Sequence, residues 1–138
     1  MRALVQRVSR AAVRVDGRLR AEIGPGLLVL LGVAEGDDEA AAERLAAKVR
    51  ALRVFADGAG NMNVALEHRE ILCVSQFTLY ADTRRGNRPS FMAAARPELA
   101  EPLYERFCEL TGAARGVFGA QMEVELVGDG PVTVMLEV

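Results

Sequence analysis

Gly24-Pro25-Gly26-Leu27-Leu28-Val29-Leu30-Leu31-Gly32-Val33 contains the longest strongly apolar run in the chain, Leu27 to Leu31, with a Gly-Pro-Gly break in front of it. The run is of strand length and far short of the ~20 apolar residues that cross a bilayer. A strand with no polar alternation is one covered on both faces, so this segment is expected at the centre of a sheet.

The neighbouring segments supply the rest of that sheet. Upstream, Ala3 to Val8 and Ala11 to Val15 lead to Asp16-Gly17, and Leu19, Ala21 and Ile23 then recur at every second position. Asp-Gly between alternating runs is a strong short-range hairpin signal. Downstream, Asp37, Asp38 and Glu39 offer an N-cap and first-turn acids. Ala42, Leu45, Val49 and Leu52 follow at helical spacing, which predicts a helix from about Asp38 to Arg53.

Val54 and Phe55 can begin a short strand before a turn-rich loop containing Asp57, Gly58, Gly60, Asn61 and Asn63. Ile71 to Phe77 reads as a largely apolar strand whose end is polar, at Ser75 and Gln76, and which opens through Thr78 and Leu79 into a loop from Asp82 to Pro89. Leu99, Leu103, Phe107 and Leu110 mark one face of a second helix. Pro97 and Pro102 belong near its start, because an interior proline costs about 3 kcal/mol. Met122, Val124 and Leu126 alternate with polar residues, as do Val132, Val134, Leu136 and Val138 after Gly128-Asp129-Gly130-Pro131, which predicts a terminal hairpin. The expected fold class is mixed α/β: a mostly antiparallel sheet or barrel-like β layers, with two helices packed on one side, in one domain spanning residues 1–138.

Composition fits that expectation. The 138 residues are 51% hydrophobic and 26% charged, near the ~45 to 50% and ~25% of globular domains, which excludes disordered, collagen-like and low-complexity classes. The N-terminus sets Arg2 and Arg7 around Ala3, Leu4 and Val5, unlike a signal peptide, so a cytoplasmic protein with no membrane attachment is expected. Cys73, Cys108 and a single histidine, His68, give neither a zinc-ligand cluster nor a disulfide framework, so neither a metal nor any other cofactor is expected. The cysteines read as small buried hydrophobes, His68 as a solvated loop residue.

Net charge is −2, which argues against a generic polyanion binder, but the charge is segregated. Residues 1–20 hold six Arg and one Asp, residues 84–96 four Arg and no acid, and residues 97–138 two Arg and eight acids. The polar strand end at Ser75-Gln76 opening onto an Arg-rich loop is therefore the candidate site. Taken alone, Ser75 and Thr78 are hydroxyls at a strand end, groups that cap turns more often than they attack substrates, and Gly130-Pro131 is a turn into an edge strand.

Five short motifs occur in order: Gln6-Arg7-Val8, Ser75-Gln76-Phe77-Thr78-Leu79, Arg88-Pro89-Ser90-Phe91, Phe118-Gly119-Ala120 with Met122, and Asp129-Gly130-Pro131-Val132-Thr133. With them the chain resembles, from Met1 to Val138, the D-aminoacyl-tRNA deacylase family (D-tyrosyl-tRNA deacylase-like). It is shorter than family members between Asn63 and Ile71 and between Thr111 and Phe118.

The resemblance implies a homodimeric enzyme that hydrolyses the ester of D-aminoacyl-tRNA, or of glycine mischarged on alanine tRNA, and spares L-aminoacyl-tRNA. It implies a catalytic segment Ser75, Gln76, Phe77 and Thr78, with backbone N–H groups near Phe77 and Thr78 facing the developing oxyanion. Leu79 would line the same wall. Gly130-Pro131 would be cis and would enter the partner's site to exclude an L side chain, with Arg7 as its brace, and Ala100 would lie beside the aminoacyl group. Phe118 and Met122 would hold the terminal adenine.

Arg84, Arg85 and Arg88 are candidates for tRNA phosphate contact. Thr78 as a covalent nucleophile is the competing mechanism, and a non-catalytic tRNA- or nucleic-acid-binding module is the competing function class.

Overall fold

A computed structural model describes all residues, Met1–Val138. The first strand, β1 (Arg2–Val15), is 14 residues long and organises the sheet. It turns through Asp16 (φ 51°) and Gly17 (φ 74°) into β2 (Arg18–Ile23). Two consecutive left-handed residues are what the tight antiparallel turn requires, and the Asp-Gly pair supplies them. The apolar run forms β3 (Gly26–Gly32), antiparallel to β1 from Arg2↔Gly32 to Val8↔Gly26. β2 takes over the same edge of β1 from Ala11 to Val15.

The first helix, α1 (Glu39–Ala51), starts where Asp38 accepts a hydrogen bond from the Ala41 N–H at 2.8 Å. A small hairpin of β4 (Phe55–Ala56) and β5 (Met62–Val64) follows. Next, β6 (Glu70–Ser75) runs parallel to β3. A 3-10 turn, Phe77–Tyr80, leads to an irregular stretch and then α2 (Pro97–Thr111), which ends on Gly112 at φ 69°. Two residues, β7 (Ala114–Arg115), add a parallel edge to β6, and β8 (Glu123–Glu137) returns antiparallel along the whole of β1.

β3 is buried on both faces, as its unbroken apolar run predicts. Leu27, Val29 and Leu31 pack with Ala42, Leu45 and Val49 of α1 and Leu103, Tyr104 and Phe107 of α2 in the larger core. On the opposite face Leu28 joins Leu72, Val74, Val13 and Ile23 in a second core. Ala114 packs on this second core too, so the two ends of the strand order, β2 and β7, come together over it. The sheet is thus nearly closed, with both helices on its outer side.

Two expectations are corrected. The C-terminal segment is not a hairpin: Glu123 to Glu137 runs in one direction, paired with β1 on both sides of one interruption. Between Val8↔Gly128 and Gln6↔Thr133, β1 advances two residues while β8 advances five, so Asp129 to Val132 loop out as a bulge. A register irregularity flips which face a strand presents. Leu126 accordingly packs on the second core while Val132, Val134 and Leu136 pack on the first. Two alternating runs separated by turn residues imitate a hairpin, but the unpaired length of β1 keeps β8 going straight.

The second correction is at the end of β6. The strand stops at Ser75, and Gln76 to Tyr80 coil, with Leu79 N–H bonded to the Gln76 carbonyl at 3.2 Å and Ala81 N–H to the Thr78 carbonyl at 3.1 Å.

Candidate active site

The 3-10 turn stands over the C-terminal end of the two parallel strands, β3 and β6. Gln76 N–H donates to the Leu31 carbonyl at 2.8 Å, which fixes the start of the turn. A Cβ on Gly32 would lie 3.2 Å from the Gln76 carbonyl oxygen, from Leu79 Cβ and from the Tyr80 ring, so glycine lets the turn sit directly on β3. Arg2 holds the far end: its Nη1 donates to the Leu79 carbonyl at 2.9 Å, and the guanidinium lies 4.5 Å from the Tyr80 ring centroid. Burial, assisted by the Asp37 charge, pushes the Tyr80 hydroxyl up to about 12. The N–H groups of Phe77 and Thr78, first in the turn, have no acceptor within it.

Beneath this turn opens a cavity of about 740 Å³. Ser75, Gln76 and Phe77 form one wall, Ala94 to Pro97 and Ala100 of α2 a second, and Phe118 to Met122 a third. Phe77 meets Phe91 edge to face, with ring centroids 5.0 Å apart. Tyr104 supports the third wall from the core: its hydroxyl donates to the Cys73 carbonyl at 3.0 Å, and its ring lies 5.8 Å from that of Phe118. Met122 accepts a hydrogen bond at sulfur from the Val117 N–H at 3.3 Å.

The lining contains no carboxylate, histidine, cysteine or lysine, and its single charged residue is Arg96. No group of three or more metal-ligating side chains occurs anywhere in the chain. Cys73 and Cys108 are buried in the core, where burial pushes the Cys73 thiol up, and His68 is exposed on the turn after β5. This arrangement offers no general base among its cavity side chains, and Ser75 is the only hydroxyl there. It can bind an apolar or aromatic group and offer backbone donors to an oxygen.

Of the residues singled out from sequence, Ser75, Gln76, Phe77, Ala100, Phe118 and Met122 come together around the cavity. Thr78 and Leu79 do not line it. Thr78 Oγ1 accepts a hydrogen bond from Gln76 Nε2, and Leu79 is half-buried against Gly32.

Gly130 and Pro131 also lie outside this chain's cavity, exposed on the β8 bulge, with a cis peptide between them. Arg7 holds that bulge: Nε donates to the Asp129 carbonyl at 2.7 Å and Nη1 to the Val54 carbonyl at 2.5 Å.

Arg84, Arg85 and Arg88 line a separate surface depression with Asp82 and Ser90. Arg84 is tied to Asp82, Nη2 to Oδ2 at 2.6 Å, and that hydrogen-bonded pair holds the Asp82 carboxyl well below the usual carboxylate range. Arg85 and Arg88 take part in none of the chain's ion pairs. Arg96 was legible in the sequence only as the last of the four arginines between residues 84 and 96.

Comparison with known proteins gives the family. A D-aminoacyl-tRNA deacylase from Dehalococcoides mccartyi is 56% identical over 144 residues, covering 99% of this chain and 94% of that protein. One from Roseiflexus castenholzii is 57% identical, covering 99% of this chain and 92% of that protein. Among solved structures, a c-Myc DNA unwinding element binding protein superposes with a TM-score of 0.94 at 41% identity, over 100% of this chain and 99% of its own. A probable eukaryotic D-amino acid tRNA deacylase shares the fold at a TM-score of 0.88 and 16% identity, covering 99% of this chain and 98% of that one. The family model described as D-Tyr-tRNA(Tyr) deacylase matches residues 4–137, and with relatives of this identity matched nearly end to end, the chain belongs to that family.

Proposed function

We propose that this protein, acting as one domain over residues 1–138, hydrolyses the ester linking a D-amino acid to the terminal adenosine of tRNA. Glycine mischarged on alanine tRNA is cleaved too, and L-aminoacyl-tRNA is spared. The observation that carries the reading is the cavity itself, whose lining is apolar and aromatic and holds no side-chain base, with the unpaired N–H groups of Phe77 and Thr78 in the turn above it.

An aminoacyl ester is already activated, and the adjacent ribose 2′-OH assists attack by water. Water oxygen bonds to the ester carbon, the carbonyl oxygen takes up negative charge toward the N–H groups of Phe77 and Thr78, and the ribose oxygen leaves with a proton. Phe118 and Met122 hold the adenine, and Ala100 leaves room beside the aminoacyl group. Thr78 as covalent nucleophile has less support, because its hydroxyl is turned to Gln76 and no cavity side chain stands ready as its base.

Chiral rejection requires a second wall, and we assign it to Gly130-Pro131 of a second copy. Three features support this: the bulge is exposed, it is braced by Arg7, and it lies outside its own chain's cavity. β8 pairs on one side only, and Val124, Val127 and Met135 stay exposed along it. A long uncovered edge with apolar side chains favours association, and a twofold dimer would give two equivalent sites. Arg85 and Arg88, with Arg84, would meet tRNA phosphates. No helix is long and apolar enough to cross a membrane, and a tRNA substrate fits a cytoplasmic location.

Release of free amino acid from matched D- and L-aminoacyl-tRNA tests the reading: the D ester and glycyl-tRNA are cleaved and the L ester persists, whereas equal rates would refute it. The likeness to a protein described as binding a DNA element favours one second reading, a nucleic-acid-binding module without chemistry. Such a module would leave every ester intact.

A further inference from the structure

We propose that Arg96 is the phosphate contact of this cavity, so that the site takes a nucleoside 5′-phosphate in preference to the bare nucleoside. The inference rests on the deacylase reading for the identity of the base and adds a residue that neither the family motifs nor the catalytic segment contains. It starts from an imbalance: Arg96 is the one charged side chain on the lining, and no acid faces it there. It takes part in none of the chain's ion pairs, although Glu98 follows two residues later.

Its backbone is nevertheless fixed. The Arg96 carbonyl caps α2, accepting from the N–H groups of Leu99 at 3.0 Å and Ala100 at 2.9 Å, and Pro97 occupies the first turn. Just before it, Ala95 N–H donates to the Val33 carbonyl at 2.9 Å, which ties this segment to the sheet.

An unpaired cation at the mouth of an apolar cavity has a chemical complement. A nucleoside offers only neutral groups to such a wall, while its 5′-phosphate carries a charge that must leave the cavity through the mouth. Arg96, the N-cap of α2, and Ala100 in its first turns both line the cavity. An acyl group beside Ala100 and a phosphate beside Arg96 are therefore served by the same cavity wall. A guanidinium presents a planar fork of donors that matches two phosphate oxygens at once. Arg84, Arg85 and Arg88 belong to a different depression and remain available for phosphates farther along the strand.

The test uses adenosine 5′-monophosphate and adenosine as probes, titrated into the intact protein at low salt and followed by NMR. The expected result is about fivefold tighter binding of the phosphate, the most that one solvent-exposed ion pair commonly yields. Arg96→Ala should bring the two affinities together, Arg96→Lys should keep part of the gap, and added salt should narrow it in the wild type. Equal affinities in the wild type, or a gap unchanged in Arg96→Ala, would overturn the inference. The titration involves no ester cleavage, so an inactive protein that still showed the Arg96-dependent gap would count against the deacylase reading and not against this contact.

Discussion

Two turns in this molecule are held by arginines from the same strand, yet they stand in opposite surroundings. Arg2 of β1 grips the 3-10 turn through the Leu79 carbonyl and the Tyr80 ring, and that turn rests on Gly32 above the main core. Arg7, five residues on, grips the β8 bulge through the Asp129 carbonyl, and that bulge projects from an exposed edge. The first turn walls the cavity of its own chain; the second lies outside that cavity. We propose that the second turn is a wall for the cavity of a neighbouring copy.

The comparison would break most sharply if the chemistry lay in a side chain of either turn. Replacing the terminal adenosine by its 2′-deoxy form should slow cleavage about 100-fold or more, the low end of what general acid–base assistance supplies. Thr78→Ala should stay within a few-fold of the wild type. An acyl group trapped on Thr78 would reverse that assignment.

The two supporting glycines sharpen the contrast. A Cβ on Gly130 would fall 2.1 Å from the Val132 backbone nitrogen, so Gly130→Ala must displace the bulge. We expect a loss of roughly 100-fold in kcat/KM for D-aminoacyl-tRNA, the order of effect of a 1 Å misplacement. Because the bulge is exposed, Tm should hardly move. Gly32→Ala meets its neighbours at the more tolerable 3.2 Å, but it does so at the core. It should cost about 1 to 3 kcal/mol of stability, read by denaturant unfolding, as overpacking does. Kinetics and melting should thus separate the two turns. Arg7→Ala should act between these extremes, relaxing discrimination against L-aminoacyl-tRNA while the protein stays folded.

Much of this was legible in the sequence. The central strand, the Asp16-Gly17 turn and both helices follow from periodicity and turn chemistry, which act over a few residues. The β8 bulge and the 3-10 turn do not, because each depends on a distant partner: the length of β1 for one, Leu31 and Arg2 for the other. The cavity wall at Ser75 and Gln76 was legible as a polar strand end before an arginine-rich loop, whereas Arg96 carries no local signal beyond its charge. That Thr78 and Leu79 turn away from the cavity is likewise a product of the coil after Ser75, which strand alternation does not predict.

The smallest expected effect concerns the arginine depression. If Arg85 and Arg88 each meet one phosphate, replacing both with alanine should flatten the salt dependence of tRNA binding by about two units of slope, near one per contact. Arg84→Ala should add less, since Asp82 already engages its charge. An unchanged slope in the triple variant would return the loop to plain solvation.

The central claim, that the two turns of different copies make one site, is tested most directly by a mixed dimer. Gly130→Ala chains and Phe77→Pro chains, the latter lacking one of the two N–H donors of the 3-10 turn and so expected to lose about 100-fold or more in activity, carry different tags and are co-expressed, and the heterodimer is isolated. One of its two sites then combines both intact turns and the other combines both altered ones. The account predicts that the heterodimer recovers about half the wild-type deacylase activity, one sound site in two, well above either altered homodimer. Activity no higher than the average of the two homodimers, or a protein that remains a monomer, would contradict it.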